Sequence, residues 1–301
     1  MESLGFEAAA LGAATTWAVG GLIAAAPTKL LGGPRFTRLR MYWVAGILAI
    51  VATLLGGWTT LGSREVILLG LSGIFGLALG DAALFTAFHR LGPRRTGILF
   101  ATNAPMTAVL SAIIFSERFS AGSLAGTVLI SVGVTLAIAF GTRGGQSHHW
   151  EHVQGSLLAG VGFGLLGAFG QSVGVLLADP AFDGADLDPW AGAAVRAIVG
   201  LAALVVMRGW FESRSRVAYP EHIGWRLWAV IIVSGTLAMV LGKTLVLIAL
   251  SDGDPGIVSV LVSTSPAIQL PLIWMATKER PAAGAWAGAA LTAIGTSLIV
   301  L

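Results

Sequence analysis

Residues 117–136 read ERFSAGSLAGTVLISVGVTL, and residues 279–298 read ERPAAGAWAGAALTAIGTSL. Nine of the twenty aligned positions are identical, at a constant offset of 162 residues. Low-complexity Ala and Gly account for some of these matches, but not for the Glu-Arg pair that opens both segments. The repeat indicates two copies of one unit, so we expect a first repeat at 1–141, a hydrophilic connecting loop at 142–154 and a second repeat at 155–301.

The composition is typical of a membrane protein. Of the 301 residues, 55% are hydrophobic and 11% are charged, and the mean hydropathy is +0.84, whereas a soluble domain has about 25% charged residues. A helix of about 20 apolar residues crosses the ~30 Å core of a bilayer. We therefore predict an all-α integral membrane protein with ten transmembrane helices. Seven spans carry no charge (8–28, 41–63, 96–116, 119–142, 153–178, 255–277 and 281–301). Three carry one charge in their interior (66–88, 188–207, whose first residue is Asp188, and 227–250).

The loops indicate how the two units are oriented. Five helices per repeat is an odd number, so the second repeat is expected to insert upside down. The predicted odd-numbered loops hold fourteen Lys and Arg residues and the even-numbered loops hold two. Because Lys/Arg-rich loops stay in the cytoplasm, we expect both termini on the opposite side. Inverted repeats with a site near the bilayer midplane are a common transporter architecture.

Two long segments carry a family resemblance. They are GDAALFTAFHRLGPRRTGILFATNAPMTAVLSAIIFSERFSAGSLAGTVLISVGVTL at 80–136 and GIVSVLVSTSPAIQLPLIWMATKERPAAGAWAGAALTAIGTSL at 256–298. Each has a proline in the fourth helix, then Glu-Arg and a Gly-rich fifth helix. This pattern resembles the EamA-type transporters of the drug/metabolite transporter superfamily. The resemblance implies a secondary transporter, often an exporter of small metabolites, with a cavity between its two halves.

The same offset aligns LGD at 79–81 with LGK at 241–243. Asp81 and Lys243 each lie about eight residues, or roughly 12 Å, from one end of the predicted helix. In the inverted topology both therefore lie near the bilayer midplane. A lone charge at that depth costs about 2.5–3.5 kcal/mol, so we expect the two to face each other or a wet cavity. They form either a fixed structural ion pair or a substrate-binding or coupling site.

Arginines are a second source of candidate residues. Arg196 lies about 12 Å inside its predicted helix and is a candidate contact for an anionic group in the cavity. The alternatives are snorkelling towards the interface or an ion pair with Asp186 or Asp188. Arg40 is expected to be a cytoplasmic anchor at the start of the second helix.

Polar side chains near two prolines predict where the cavity lies. Pro105 and Pro266 interrupt the fourth helix of each repeat, and broken helices are tolerated where they line a cavity. Each candidate has ordinary packing or interhelical hydrogen bonding as its alternative role. The candidates are Asn103, Ser263 and Gln269 near the prolines, Gln171 in the sixth helix and Trp17 in the first.

The predicted partners are a small-molecule substrate, membrane lipids and a coupling proton or cation. We expect no cofactor, metal or nucleic acid, and a monomer or homodimer in the cell membrane, which is the inner membrane in a Gram-negative source. The stretch HHWEH at 148–152 is interpreted as a solvated linker, with metal binding as the alternative. Two other functions compete with transport. An intramembrane enzyme acting on a lipid-linked substrate would need clustered acids or a nucleophile, and a membrane scaffold or sensor would need no wet cavity.

Overall fold

The computed structural model describes residues 4–116, 120–140, 155–182, 186–209, 223–277 and 282–300, and within these ranges it contains helices and no strands. In chain order the main helices are α1 (Leu4–Leu31), α2 (Gly33–Leu54), α3 (Ser63–Leu91), α4 (Pro93–Phe100), α5 (Asn103–Ile114), α6 (Ala121–Ala139), α7 (Leu157–Ala178), α8 (Pro189–Val206), α9 (Trp225–Leu250), α10 (Pro255–Val262), α11 (Ser265–Thr277) and α12 (Ala283–Val300).

The helices have the length and surface of a membrane protein. In the part of the chain that the structure describes, seven stretches are long and apolar enough to cross a bilayer: Gly5–Leu31, Gly33–Leu54, Ser63–Leu91, Leu157–Ala181, Pro189–Val206, Trp225–Leu250 and Pro255–Leu272. Large apolar side chains also cover the outside, with Leu54 80% exposed and Val206 84% exposed. Such a surface suits lipid rather than water. The chain is therefore an all-α, multi-pass membrane protein, while ten spans and an inverted arrangement stay predictions.

The sequence repeat is also a repeat of helix boundaries. From the third helix onward, corresponding helices in the two halves begin 162 residues apart. The pairs of first residues are Ser63 and Trp225, Pro93 and Pro255, Asn103 and Ser265, and Ala121 and Ala283.

Two kinds of helix irregularity recur at these matched positions. The middle of α3 forms a π-helical segment at Gly73–Gly80, and the middle of α9 forms another at Thr236–Leu241. Such segments interrupt the regular hydrogen-bond ladder and are frequent at functional sites. Helix α4 is separated from α5 by residues 101–102, and α10 is separated from α11 by residues 263–264. These breaks lie just before the two prolines, as the missing proline N–H groups predict.

Helices of one half pack against helices of the other. Helix α1 packs on α9, α7 packs on α3, α2 packs on α8, and α6 packs extensively on α12. A Cβ atom on Gly133 of α6 would lie 2.6 Å from the carbonyl oxygen of Gly288, and one on Gly295 of α12 would lie 2.7 Å from that of Gly126. Small residues allow membrane helices to approach closely. The Gly-rich fifth helices predicted for each repeat therefore pack against each other within one chain.

Candidate functional site

The two lone charges predicted near the middle of the membrane lie together in the structure. Asp81 on α3 and Lys243 on α9 each lie eighteen residues after the first residue of the helix. Lys243 Nζ is 3.7 Å from Asp81 Oδ1, and the two side chains are 10% and 6% exposed. The pair thus joins the third helix of one half to the corresponding helix of the other.

The glycine before each charge is a point where helices cross. A Cβ atom on Gly80 would lie 3.2 Å from the carbonyl carbon of Gly170 on α7, and a Cβ atom on Gly242 would lie 2.5 Å from the indole of Trp17 on α1. The absence of a side chain at both positions lets the first helix of the opposite half approach. This packing explains the glycine that precedes the charge in both halves.

Two arginines complete the charged cluster, and they lie at corresponding points of their helices although they are 156 rather than 162 residues apart. Arg40 and Arg196 each lie seven residues after the first residue of their helices, α2 and α8. A Cβ atom on Gly235 of α9 would lie 2.9 Å from Arg40 Cγ, and one on Gly73 of α3 would meet the backbone of Arg196. Gly73 and Gly235 are again 162 residues apart. Both arginines are 2% exposed.

Arg40 holds the second oxygen of Asp81. Its Nη2 atom lies 3.9 Å from Asp81 Oδ2. The guanidinium carbon lies 4.6 Å from the ring centroid of Phe85 and 5.0 Å from that of Phe36, so the planar cation packs against two aromatic rings. Its buried Nε atom has no hydrogen-bond partner in the described part of the chain. Arg40 therefore retains donor capacity beyond its loose contact with Asp81.

Arg196 has still fewer partners. Its Nε, Nη1 and Nη2 atoms are buried and have no hydrogen-bond partner within the described ranges. It shares a cavity of about 10 Å³ with Lys243, which is close to the volume that one water molecule needs. The snorkelling alternative for Arg196 is wrong, because the side chain is buried. In the described part of the chain no ion pair joins Arg196 to Asp188 either. Asp188 instead caps α8 by accepting a 2.8 Å hydrogen bond from the Ala191 N–H.

Lys243 is the centre of the cluster. Besides its contact with Asp81, Nζ donates a 2.9 Å hydrogen bond to Gln171 Oε1 on α7. Nζ also lies 4.5 Å from the ring centroid of Trp17 on α1, at cation–π distance. Three basic side chains, Arg40, Arg196 and Lys243, thus lie around one acidic side chain, Asp81.

A cavity of about 180 Å³ opens beside this cluster. Arg40, Asp81 and Lys243 line it, so three of the four charges can reach its contents. Helices α1, α2, α3 and α4 of the first half and α9, α10 and α11 of the second half surround it. The remaining lining contains an aromatic set, Trp17, Phe85, Phe88 and Phe100, and a polar set, Thr96, Ser263, Ser265 and Gln269.

A smaller cavity of about 20 Å³ adjoins the large one through Trp17 and Ser263, which line both. Asn103 and Gln171 line only the smaller cavity. Asn103 Oδ1 accepts hydrogen bonds from Thr107 Oγ1 at 3.0 Å and from Ser172 Oγ at 3.3 Å, which ties α5 to α7. The structural alternative considered for Asn103 and Gln171, a cross-link between helices, is thus present in the structure.

Comparison with known proteins identifies the family. The sequence profile of the EamA-like transporter family matches residues 6–139 and again residues 158–301, which together make up nearly the whole chain. The chain belongs to the EamA-like transporter family. A solved structure titled "Crystal structure of protein" is 18% identical to it, covers 97% of this chain and 95% of its own, and superposes with a TM-score of 0.74, which shows a shared fold. No curated protein matches this EamA-like sequence.

The structure of this EamA-like chain gathers all eight candidate residues around three neighbouring cavities. Trp17, Asp81, Lys243, Ser263 and Gln269 line the large one, Asn103 and Gln171 the adjoining small one, and Arg196 the other small one. Gln269 Nε2 also donates a 3.1 Å hydrogen bond to the Ala18 carbonyl. Their roles in transport stay predictions.

One residue of the site was assigned to the wrong place. Arg40 was expected to be a cytoplasmic anchor, but it is buried and lines the cavity. The error follows from the helix start: α2 begins at Gly33 rather than at residue 41. Pro34 was the available signal, because proline favours the first turn of a helix, and this start puts Arg40 two turns inside. Removing Arg40 from the loop count leaves thirteen basic residues against two, so the charge bias survives.

Several predicted features lie outside the described residues. They are the Glu-Arg dipeptides at 117–118 and 279–280 and the HHWEH stretch at 148–152.

Proposed function

We propose that this protein is a secondary transporter, with export as the favoured direction, that moves small metabolites across the cell membrane by alternating access. The cavity of about 180 Å³ between the two halves, with three buried charges on its wall, is the observation that carries the proposal. Buried charges inside a membrane are costly and mark substrate or ion pathways. Membership of a transporter family supports the same function.

The proposed architecture has ten crossing helices in two inverted halves. The seven long apolar stretches supply seven crossings. The remaining three are the broken helix α4–α5, helix α6 and helix α12. The matched helix starts, π segments and breaks support two equivalent halves, and the alternating loop charges support their opposite orientation. In this arrangement the α6–α12 pair braces the cavity from one side.

Alternating access follows from how the cavity is built. Its wall combines helices from both halves, so a rocking movement of one half against the other would open it first to one side and then to the other. The breaks before Ser265 and before Asn103 provide points where α10–α11 and α4–α5 can bend.

Cysteine accessibility tests this function without knowledge of the substrate. The chain contains no Cys, so single variants Ala238→Cys and Ser263→Cys place one thiol each in the cavity lining. Membrane-impermeant thiol reagents are then added to right-side-out and inside-out vesicles. Reaction from both sides is expected for a transporter.

Each other result has a defined meaning. Reaction from one side only would indicate a receptor-like or sensor cavity, and reaction from neither side would overturn the proposal. A Val128→Cys variant is the control, because Val128 lies in the middle of α6 and is 61% exposed on the outer surface. It should react from neither side. An enzyme would instead convert an added ligand into a product, which mass spectrometry of the reaction mixture would detect.

A further inference from the structure

The charges at the centre of the molecule do not balance. Within the described residues the cluster contains Arg40, Arg196 and Lys243 but a single carboxylate, Asp81. All four residues are at most 8% exposed. Uncompensated buried charge is unfavourable, and the effective penalty is several kcal/mol per ion. The interior of the molecule thus contains two more basic groups than acidic groups in this cluster.

The distances show that the carboxylate is shared rather than firmly bound. Asp81 lies 3.7 Å from Lys243 Nζ and 3.9 Å from Arg40 Nη2, whereas a tight charge-assisted hydrogen bond measures about 2.7–2.9 Å. Arg196 has no hydrogen-bond partner for any of its three nitrogen atoms in the described part of the chain. The cations are therefore undersupplied with acceptor oxygens.

Comparison of the corresponding positions in the two halves shows which hydrogen-bond acceptor the cluster lacks. Arg40 on α2 faces Asp81 on α3, and Arg196 on α8 has Lys243 on α9 at the corresponding position. A second carboxylate at position 243 would have balanced both arginines. The lysine there leaves the cluster one carboxylate short. The large cavity reaches the cluster at Arg40 and Lys243, so an anionic group from outside the chain can supply acceptor oxygens at that point.

The neighbouring wall defines the rest of the ligand. Trp17, Phe85, Phe88 and Phe100 supply aromatic surface beside the charged end of the cavity. An ion without an apolar part would leave this surface uncovered. The cavity therefore fits a molecule with an acidic head and an apolar or aromatic body.

We propose that the transported molecule is a small organic anion whose carboxylate or phosphate group binds between Arg40 and Lys243, with its apolar body against the aromatic wall. This inference rests on the proposed transport function and names its substrate class. It excludes cationic drugs as substrates. Arg40 presents a planar donor fork suited to two oxygens of such a head group, and Asp81 moves off one cation when the anion arrives.

Three probes with the same ring and different heads test the sign of the charge. Thermal unfolding of the purified full-length protein is measured with phenylacetate, phenylacetamide and phenethylamine, and with phenyl phosphate and inorganic phosphate. We expect phenylacetate or phenyl phosphate to raise the melting temperature, phenylacetamide to raise it less and phenethylamine not to raise it. A larger shift from the amine than from its matched acid overturns the proposal, as does the absence of a shift from every anion. If inorganic phosphate alone matches phenyl phosphate, the part of the proposal concerning the apolar body is wrong.

Charge variants of the protein test the binding residues. The double variant Arg40→Gln/Asp81→Asn removes one charge of each sign, so the net charge of the cluster is unchanged, and it should lose most of the anion-induced shift. Arg226→Gln is the control, since Arg226 is exposed at the start of α9, and it should keep the shift. An unchanged anion response in the double variant would show that the anion binds elsewhere.

Melting temperatures of two variants measured without any ligand test the missing carboxylate independently of anion binding. Met239 lines the small cavity that contains Arg196 and Lys243. Met239→Glu and Met239→Gln differ essentially by one negative charge. If the cluster lacks a carboxylate, Met239→Glu melts at a higher temperature than Met239→Gln, and the reverse order overturns the proposal. The melting temperatures do not depend on transport. The cysteine experiment can therefore contradict the proposed transport function while the melting experiments support anion binding, and the reverse combination is also possible.

Discussion

Removing Asp81 should destabilise the protein far more than removing Lys243. Two unit charges about 4 Å apart interact by about 4 kcal/mol at an effective dielectric constant of 20. Asp81→Asn loses two such contacts, at 3.7 Å to Lys243 and 3.9 Å to Arg40, and leaves three buried cations without a carboxylate. Lys243→Met loses only the first of them, relieves repulsion among the cations and leaves Asp81 beside Arg40.

The expected magnitudes follow from this asymmetry. Breaking a buried pair by removing one partner costs about 3–5 kcal/mol because an uncompensated charge remains, and we expect Asp81→Asn in that range. Lys243→Met should cost less than about 2 kcal/mol, because the remaining carboxylate still has a partner. The double variant Asp81→Asn/Lys243→Met should be intermediate, since Arg40 and Arg196 still lack a carboxylate.

Equilibrium unfolding in mixed detergent micelles, followed by tryptophan fluorescence, measures these differences. Asp252→Asn is a matched control, because Asp252 is exposed just after α9, and it should be neutral within about 0.5 kcal/mol. Equal losses in the two single variants, with full recovery in the double variant, would refute the reasoning. That result would mean that Asp81 and Lys243 form an isolated pair in which Arg40 takes no part.

The same variants separate a structural pair from a coupling pair. If Asp81 and Lys243 only support the fold, transport by the double variant should follow its stability. If opening of the pair couples transport to an ion, the folded double variant should exchange a transported anion down its gradient but fail to concentrate it in vesicles. Uphill transport at the wild-type level by the double variant would exclude the coupling role.

Three further predictions concern packing, the Lys243 contact and topology. Gly133→Ala puts a methyl group against the Gly288 carbonyl on α12, so it should lower the free energy of unfolding by about 1–3 kcal/mol. The control is Gly162→Ala, where a Cβ would meet nothing within 4 Å, and it should be neutral or slightly stabilising. Equal effects of the two variants would contradict the close α6–α12 contact. Gln171→Met removes the acceptor at 2.9 Å from Lys243 Nζ and should cost about 1–3 kcal/mol, whereas no loss in the same unfolding assay would show that Lys243 has another acceptor. A reporter that is active only in the cytoplasm, fused after Leu301, should stay inactive, because the basic loops place that end on the opposite side; activity would reverse the orientation.

Much of the fold was predictable because membrane insertion acts on local sequence. Long uncharged runs and the paired prolines are local patterns, and they predicted the helices and the helix breaks. The repeated segment, with its constant offset, predicted the two matched halves. The meeting of Asp81 and Lys243 was also predictable, since a lone charge of each sign at matched depth requires compensation.

Residue positions around the cavity were harder to predict because they depend on where each helix begins and how it is rotated. A start eight residues too late moved Arg40 from the cavity to a surface loop. The π segments had no recognised sequence signal, although both precede the matched charges. The hydrogen bond from Lys243 to Gln171 links residues 72 positions apart, so local pattern carried no information about it.

The four central charged residues lie at corresponding points of the second and third helices of the two halves. The eighth residue of the second helix is arginine in both halves, whereas the matched position of the third helix is aspartate in one half and lysine in the other. The glycines that admit the neighbouring helices are kept in both halves, at positions 73 and 235 and at positions 80 and 242. If both third-helix positions carried an acid, two arginines would face two carboxylates and the charges of the cluster would balance. A change of one acid to lysine keeps the packing but raises the net charge of the cluster by two units. Charged side chains inside a membrane pair with one another or face a water-filled cavity, so under the proposed anion binding the break in equivalence at Lys243 would supply the excess positive charge that attracts the substrate.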